Sequence, residues 1–145
     1  MRPVHVITPG DHFSPNTGSA IPTVVDGLCR YRPDGSPKPA VAVARGTYSD
    51  HYDSAEIIEY DQTPQLRLPG PLSERHLDGA LSLLGLPRWA SRRTLAPTVR
   101  AQSTWGPSVV LAHNAPQLVP LVDQSMHAAV LYAHNHLLRT YRVAE

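Results

Sequence analysis

The chain has 145 residues, 41% of them hydrophobic, and a formal net charge of +1. This size suits one domain, 1–145, and the apolar content is too high for a disordered chain. The small charge gives no electrostatic reason to bind nucleic acid, and no apolar run reaches the ~20 residues of a membrane span. Because Cys29 is the single cysteine, it can form no internal disulfide, and we expect a cytoplasmic protein.

The first half of the chain contains three predicted strands and one clear helix. The β-branched run Val4–Thr8 ends at a Pro-Gly pair and predicts a buried strand. A polar loop then leads to a helix that is capped at Gly18-Ser19. Its apolar positions recur at helical spacing: Ile21, Val24, Val25 and Leu28. The short runs Ala40–Ala44 and Glu56–Tyr60 predict the next two strands.

The second half alternates between predicted helices and strands. Two helices are expected in succession, over Leu72–Leu86 and over Trp89–Gln102. Further elements follow to the end of the sequence: a strand over Ser108–Ala112, a helix over Pro116–Val122, a strand over Ala128–Ala133 and a helix over His136–Ala144. Strand–helix alternation is typical of a parallel sheet with helices on its faces. We therefore predict an α/β, Rossmann-like three-layer sandwich of about five strands in the order 3-2-1-4-5.

Two Ala-His-Asn triplets, Ala112–Asn114 and Ala133–Asn135, lie at the ends of the last two predicted strands. In an open parallel sheet, ligands bind beyond the carboxyl ends of the strands, near the point where strand order reverses. In the predicted order the loop after the first strand borders this edge. The expected binding residues are His12, Asn16, Gly18, Ser19, His113, Asn114, His134 and Asn135.

Asparagine and neutral histidine each both donate and accept hydrogen bonds, so these side chains suit a hydroxyl-rich ligand. The start of the first helix adds backbone N–H groups that favour a phosphate. The loop before it has neither the GxGxxG spacing of dinucleotide sites nor the lysine of a P-loop. A metal site built on His113, His134 and His136 is a third possibility, but the sequence has no HExxH pattern and no cysteine pair to support zinc. We expect no metal and no cofactor.

The first strand and the segment Phe13–Ala20 resemble the start of glycosyltransferase family 4 enzymes, with Gly18-Ser19-Ala20 in place of that family's Gly-Gly-Ala-type turn. The segments Val109–Asn114 and Val130–Asn135 resemble later strands of the same N-terminal domain. The resemblance implies half of a GT-B architecture, in which two Rossmann-like domains face each other across a cleft. It also implies transfer of a sugar from a nucleotide-sugar donor to a hydroxyl-bearing acceptor, with retention of configuration and without a bound metal.

By that resemblance, His134 is the catalytic candidate beside the reacting sugar, Gly18 and Ser19 lie near the donor diphosphate, and His113 and Asn114 line the acceptor side. The resemblance covers no donor domain, so we expect negligible transfer by this chain alone. A separate donor-domain chain or a homo-oligomer is the expected partner. The alternative from another class is a non-catalytic binding or assembly module that uses the same edge.

Overall fold

The computed structural model describes residues 1–7, 11–46, 48–61, 74–84 and 96–134. Five strands form one sheet: β1 (Arg2–Val6), β2 (Ala40–Ala44), β3 (Glu56–Tyr60), β4 (Ser108–His113) and β5 (Ala128–Tyr132). All neighbours pair in parallel, and the order is β3-β2-β1-β4-β5. The predicted Rossmann-like α/β fold and its strand order are therefore confirmed.

The central strands are apolar because both faces of the sheet are covered. The five residues of β2, Ala-Val-Ala-Val-Ala, are all buried. Alternate side chains point to opposite faces, so Ala42 enters the core that contains Trp105 and Leu118, whereas Val41 enters a second core. We call the side of the sheet that carries the second core the α1 face.

Helix α1 (Ala20–Arg30) covers the α1 face of the sheet. Its buried residues are Pro22, Val25 and Cys29, which recur at intervals of three and four. The predicted apolar stripe was partly wrong, because Val24 and Leu28 are 39% and 37% exposed. The prediction placed the apolar stripe about one residue before the side chains that are buried against the sheet, Pro22, Val25 and Cys29.

The opposite face is covered by short helical segments that precede and follow β4. Residues 96–101 are helical and continue into a 3₁₀ helix, Gln102–Thr104. The segment after β4 is also a 3₁₀ helix, Pro116–Leu121, with Pro120 inside it. A full α-helix is disfavoured there because proline lacks the backbone N–H of the i→i−4 bond.

Helix α2 spans Glu74–Leu83, within the range that the sequence predicted. The predicted helix His136–Ala144 and the first part of the predicted helix Trp89–Gln102 lie outside the described residues. Within the described ranges, no helix has both the length and the apolar character needed to cross a membrane.

Candidate functional site

His113 and His134 meet at the carboxyl edge of the sheet. His113 is the last residue of β4 and lies level with Tyr132, the last residue of β5. His134 follows β5 by two residues, so its side chain lies on the same face of the edge as that of His113. His113 Nδ1 and His134 Nε2 are 2.7 Å apart, which is a hydrogen-bond distance. The structure therefore brings the histidines of the two triplets into direct contact.

Asn114 fixes the backbone that carries His134. Its Oδ1 accepts a hydrogen bond of 2.9 Å from the His134 backbone N–H. Its own backbone N–H donates to the Tyr132 carbonyl at 3.0 Å. Asn114 has φ 50°, in the left-handed region that asparagine tolerates better than most residues. Asn114 is buried, so its amide oxygen positions His134 from within the protein.

A third histidine, His5, the fourth residue of β1, extends this contact into the interior. His5 Nδ1 lies 2.9 Å from His113 Nε2, and the two rings stack with centroids 5.1 Å apart. The three hydrogen-bonded residues His5, His113 and His134 are called the histidine chain below. His113 is fully buried and His5 is 4% exposed, whereas His134 is partly exposed. The histidine chain thus runs from the core to the edge of the sheet.

Burial keeps the histidine chain uncharged at neutral pH. It lowers the pKa of His5 to about 4. It lowers the pKa of His113 to about 3, and the neighbouring His5 and His134 act in the same direction. Burial also lowers the pKa of His134, against the opposing effect of the Asp11 carboxylate. At pH 7 each ring therefore has one N–H donor and one acceptor nitrogen.

Sequence reasoning missed two residues of this site, His5 and Tyr132. The Tyr132 ring packs against both His113 and His134, with centroids 5.1 and 4.8 Å apart. The sequence did contain a signal for His5, because it is a titratable residue inside the otherwise apolar run of β1. The period-2 pattern assigns His5 to one face of the sheet but does not identify which residue of β4 it meets.

The first loop makes most of its contacts elsewhere. The Asn16 side-chain amide donates to the Asp50 carboxylate, and the Asn16 backbone N–H donates to Ser14 Oγ. The His12 ring packs edge-on against Tyr48, with centroids 5.2 Å apart. The Phe13 carbonyl accepts from the Tyr52 backbone N–H. The residue of this loop that acts electrostatically on His134 is Asp11.

Gly18 and Ser19 lie where the sequence predicted them, at the start of α1. Ser19 is the N-cap, and its Oγ accepts from the Ile21 backbone N–H at 3.4 Å. Gly18 is exposed, and no heavy atom lies within 4 Å of the position that a Cβ would take. There is therefore open space in front of this turn. Asn135, the last predicted site residue, lies outside the described residues.

The geometry of the histidine chain differs from that of a metal site. Two histidine nitrogens that bind one zinc ion each lie about 2 Å from it, with the metal between them. In the histidine chain the nitrogens of His113 and His134 instead face each other at hydrogen-bond distance. In the part of the chain that the structure describes, no group of three or more His, Cys, Asp or Glu residues could hold a metal ion. His136, the third residue of the alternative metal site, is not among the described residues.

Fold and site together define an α/β protein that presents a neutral, internally braced histidine at the carboxyl edge of a Rossmann-like parallel sheet. Comparisons with protein-family models, with curated proteins and with solved structures found no match.

Proposed function

We propose that the edge carrying His134 is the acceptor-facing wall of a retaining glycosyltransferase site. The site uses a nucleotide-sugar donor and a hydroxyl-bearing acceptor, and it needs no metal or cofactor. The observation that carries the proposal is the bracing of His134, whose backbone N–H is held by Asn114 and whose Nε2 is held by His113. A residue held by its backbone N–H and by one ring nitrogen presents the other ring nitrogen, Nδ1, in a defined direction.

A neutral imidazole at this position suits a sugar hydroxyl. Nδ1 donates or accepts according to the tautomer, and a hydroxyl group does both. Because burial lowers the pKa of His134, the ring stays neutral at pH 7 and has no charge to desolvate when a ligand covers it. Partial exposure leaves the ring accessible from solvent. In this proposal His134 contacts the reacting sugar, and His113 and Asn114 act through it as positioning residues.

The start of α1 supplies the second part of the proposed site. Gly18 has open space in front of it, and Ser19 begins an 11-residue helix whose first backbone N–H groups favour an anion. In the proposal this turn lies near the donor diphosphate. The Asp11 carboxylate acts on His134 from the loop that leads to the turn, which supports placing the two parts on one ligand.

The test is ligand binding by the purified chain. NMR monitors the titration with a panel of nucleotide sugars and simple saccharides. We expect saturable shifts at His134 and its neighbours, and an affinity about 10-fold lower in His134→Ala, equivalent to ~1.4 kcal/mol for one lost hydrogen bond. His76→Ala is the control, because His76 is exposed and lies on α2. No saturable binding, or equal affinity in His134→Ala, contradicts the proposal.

A transfer assay and the binding pattern together separate the glycosyltransferase site from the alternative binding module. The chain is mixed with each nucleotide sugar and saccharide that bind, and product is detected by mass spectrometry and its anomeric configuration by NMR. Transfer with retention that is lost in His134→Ala establishes the glycosyltransferase. Because negligible transfer is expected from this chain alone, the binding pattern separates the two functions when no transfer is seen. Binding of a nucleotide sugar as well as a saccharide at His134 supports the glycosyltransferase site, whereas binding of saccharides without any nucleotide sugar favours a non-catalytic carbohydrate-binding module on the same edge.

A further inference from the structure

The histidine chain connects two separate surfaces of the protein. At one end, His134 is partly exposed at the carboxyl edge. At the other end, His5 lines a cavity of about 220 Å³ beside the amino ends of β1 and β2. Apolar side chains and prolines make up much of its wall, among them Met1, Pro3, Leu28 and Pro39. Between the two ends lies His113, which is fully buried and contacts both other rings.

Each contact in the histidine chain joins two ring nitrogens, so one nitrogen of each pair must carry the hydrogen. If His5 donates from Nδ1, His113 accepts at Nε2 and carries its hydrogen on Nδ1, from which it donates to His134 Nε2. If the direction is reversed, His134 donates from Nε2, His113 accepts at Nδ1, and His113 donates from Nε2 to His5 Nδ1. Neutral rings that satisfy both contacts are therefore all Nδ1–H or all Nε2–H.

We propose that the histidine chain is a proton relay whose three rings change tautomer together and so move a proton between the carboxyl edge and the cavity beside His5. The proposal is independent of the function proposed for that edge. It rests on the two nitrogen–nitrogen distances, 2.9 and 2.7 Å, and on the burial of the central ring. A buried ring with both nitrogens in contact with other imidazoles can pass on a proton without meeting water.

The step is balanced when it starts from the all-Nε2–H state. His134 Nδ1 takes up a proton at the edge, and the Nε2 proton of His134 passes to His113 Nδ1. The Nε2 proton of His113 passes to His5 Nδ1, and His5 releases its Nε2 proton to water that enters the cavity. One proton has moved from the carboxyl edge to the cavity beside His5. Every ring is neutral again, and all three rings are now Nδ1–H.

The surroundings of the three rings favour the neutral state before and after the proton transfer. Burial opposes a lasting positive charge on His5 and His113, as their lowered pKa values of about 4 and about 3 indicate. The Asp11 carboxylate acts electrostatically on His134, and the Tyr132 ring packs on His113 and His134. Asp11 at the exposed end stabilises a proton that arrives at His134.

The first test measures tautomers in the wild-type chain by ¹⁵N NMR of the histidine rings at pH 7. The chemical shifts of Nδ1 and Nε2 give the fraction of each nitrogen that carries hydrogen. We expect the same Nδ1–H fraction in His5, His113 and His134, because the two contacts tie their tautomers together. Different fractions in the three rings overturn the relay.

The second test breaks the histidine chain at its inner end. His5→Phe keeps a ring of similar size but removes both nitrogens, and we expect the Nδ1–H fraction of His134 to shift although His113 separates the two residues. His127→Phe is the matched control, since His127 is also 4% exposed but has no hydrogen-bond partner for its ring in the described part of the chain. An unchanged His134 in His5→Phe, or an equal shift in His127→Phe, overturns the relay. If His5→Phe does not fold, the Nδ1–H fractions of the three histidines in the wild-type chain still test the relay.

Discussion

A buried histidine is sensitive to its hydrogen-bond partners and to pH. His5 and His113 each have a ring-nitrogen partner, which offsets part of the cost of removing an imidazole from water. Burial is the largest cause of the lowered pKa of both rings. The neutral state is therefore strongly favoured in the folded protein, and acid should act against the fold through these two side chains.

We expect acid to destabilise the protein between about pH 6 and pH 4. Histidine in the unfolded chain binds a proton below about pH 6.5, whereas folded His5 does so only near pH 4. The unfolded state therefore holds more protons in this window, and the stability present above pH 6.5 is lost as the pH falls. Each such histidine contributes a slope of about 1.4 kcal/mol per pH unit. Urea unfolding at a series of pH values measures this slope of the free energy of unfolding against pH.

His5→Phe removes one of these titrating groups and should reduce the slope by about that amount, whatever its effect on stability at pH 7. His76→Ala, at an exposed position, controls for the loss of one histidine elsewhere. Equal slopes in wild type and His5→Phe would show that His5 does not resist protonation in the folded protein.

At the scale of elements, α1 was predicted well at its start and less well along its length. Ser19 forms the N-cap because its hydroxyl satisfies one of the backbone donors that the first turn leaves unpaired. Such a cap depends on neighbouring residues alone, which is why the local sequence predicted it. The buried stripe depends on how the helix rotates against the sheet, so the apolar spacing alone placed Val24 and Leu28 wrongly.

Replacing the cap should weaken α1 and the protein. We expect Ser19→Ala to lower the free energy of unfolding by about 0.5–1 kcal/mol, the low end of the usual range, because the capping bond is long at 3.4 Å. Ser19→Asp, which keeps a capping oxygen, should lose less. Ser49→Ala, at an exposed position, should stay within about 0.5 kcal/mol of wild type. Urea unfolding compares the four proteins, and no loss in Ser19→Ala would contradict the capping role.

At the scale of the whole molecule, the described residues form two cores that share one sheet. Trp105 belongs to the core on the face opposite α1, and Cys29 belongs to the core beneath α1. Strand β2 contributes alternate residues to each core, for example Ala42 to one and Val43 to the other. Loss of either core exposes one face of the shared strands, so the two should unfold together.

We therefore expect Trp105 fluorescence and Cys29 reactivity to report one transition. Cys29 is 1% exposed, and burial together with Asp26 raises the pKa of its thiol to about 11, so the folded protein should resist thiol reagents. The experiment uses a Trp89→Phe background, which leaves Trp105 as the single tryptophan. Coincident urea midpoints are expected. Labelling of Cys29 well below the fluorescence midpoint would show that the core beneath α1 opens separately.

The sequence by itself determined the strands, the parallel α/β class and the edge of the sheet at which His113 and His134 lie. β2 and β3 have the predicted bounds, because short β-branched runs between loops are local signals. The two triplets also lie at the carboxyl ends of β4 and β5, as predicted. Their roles in binding and catalysis remain predictions, and Asn135 lies outside the described residues.

Only the tertiary structure decided which side chains meet at that edge. It joined His5 to His113 across 108 residues and directed Asn16 toward Asp50 rather than His134. The parallel register of β1 and β4 sets the first contact, and the packing of the first loop on residues 50–52 sets the second. Local periodicity identifies the face that a strand residue occupies but not its neighbour on another strand. For that reason the histidine chain could not be predicted from the two triplets alone.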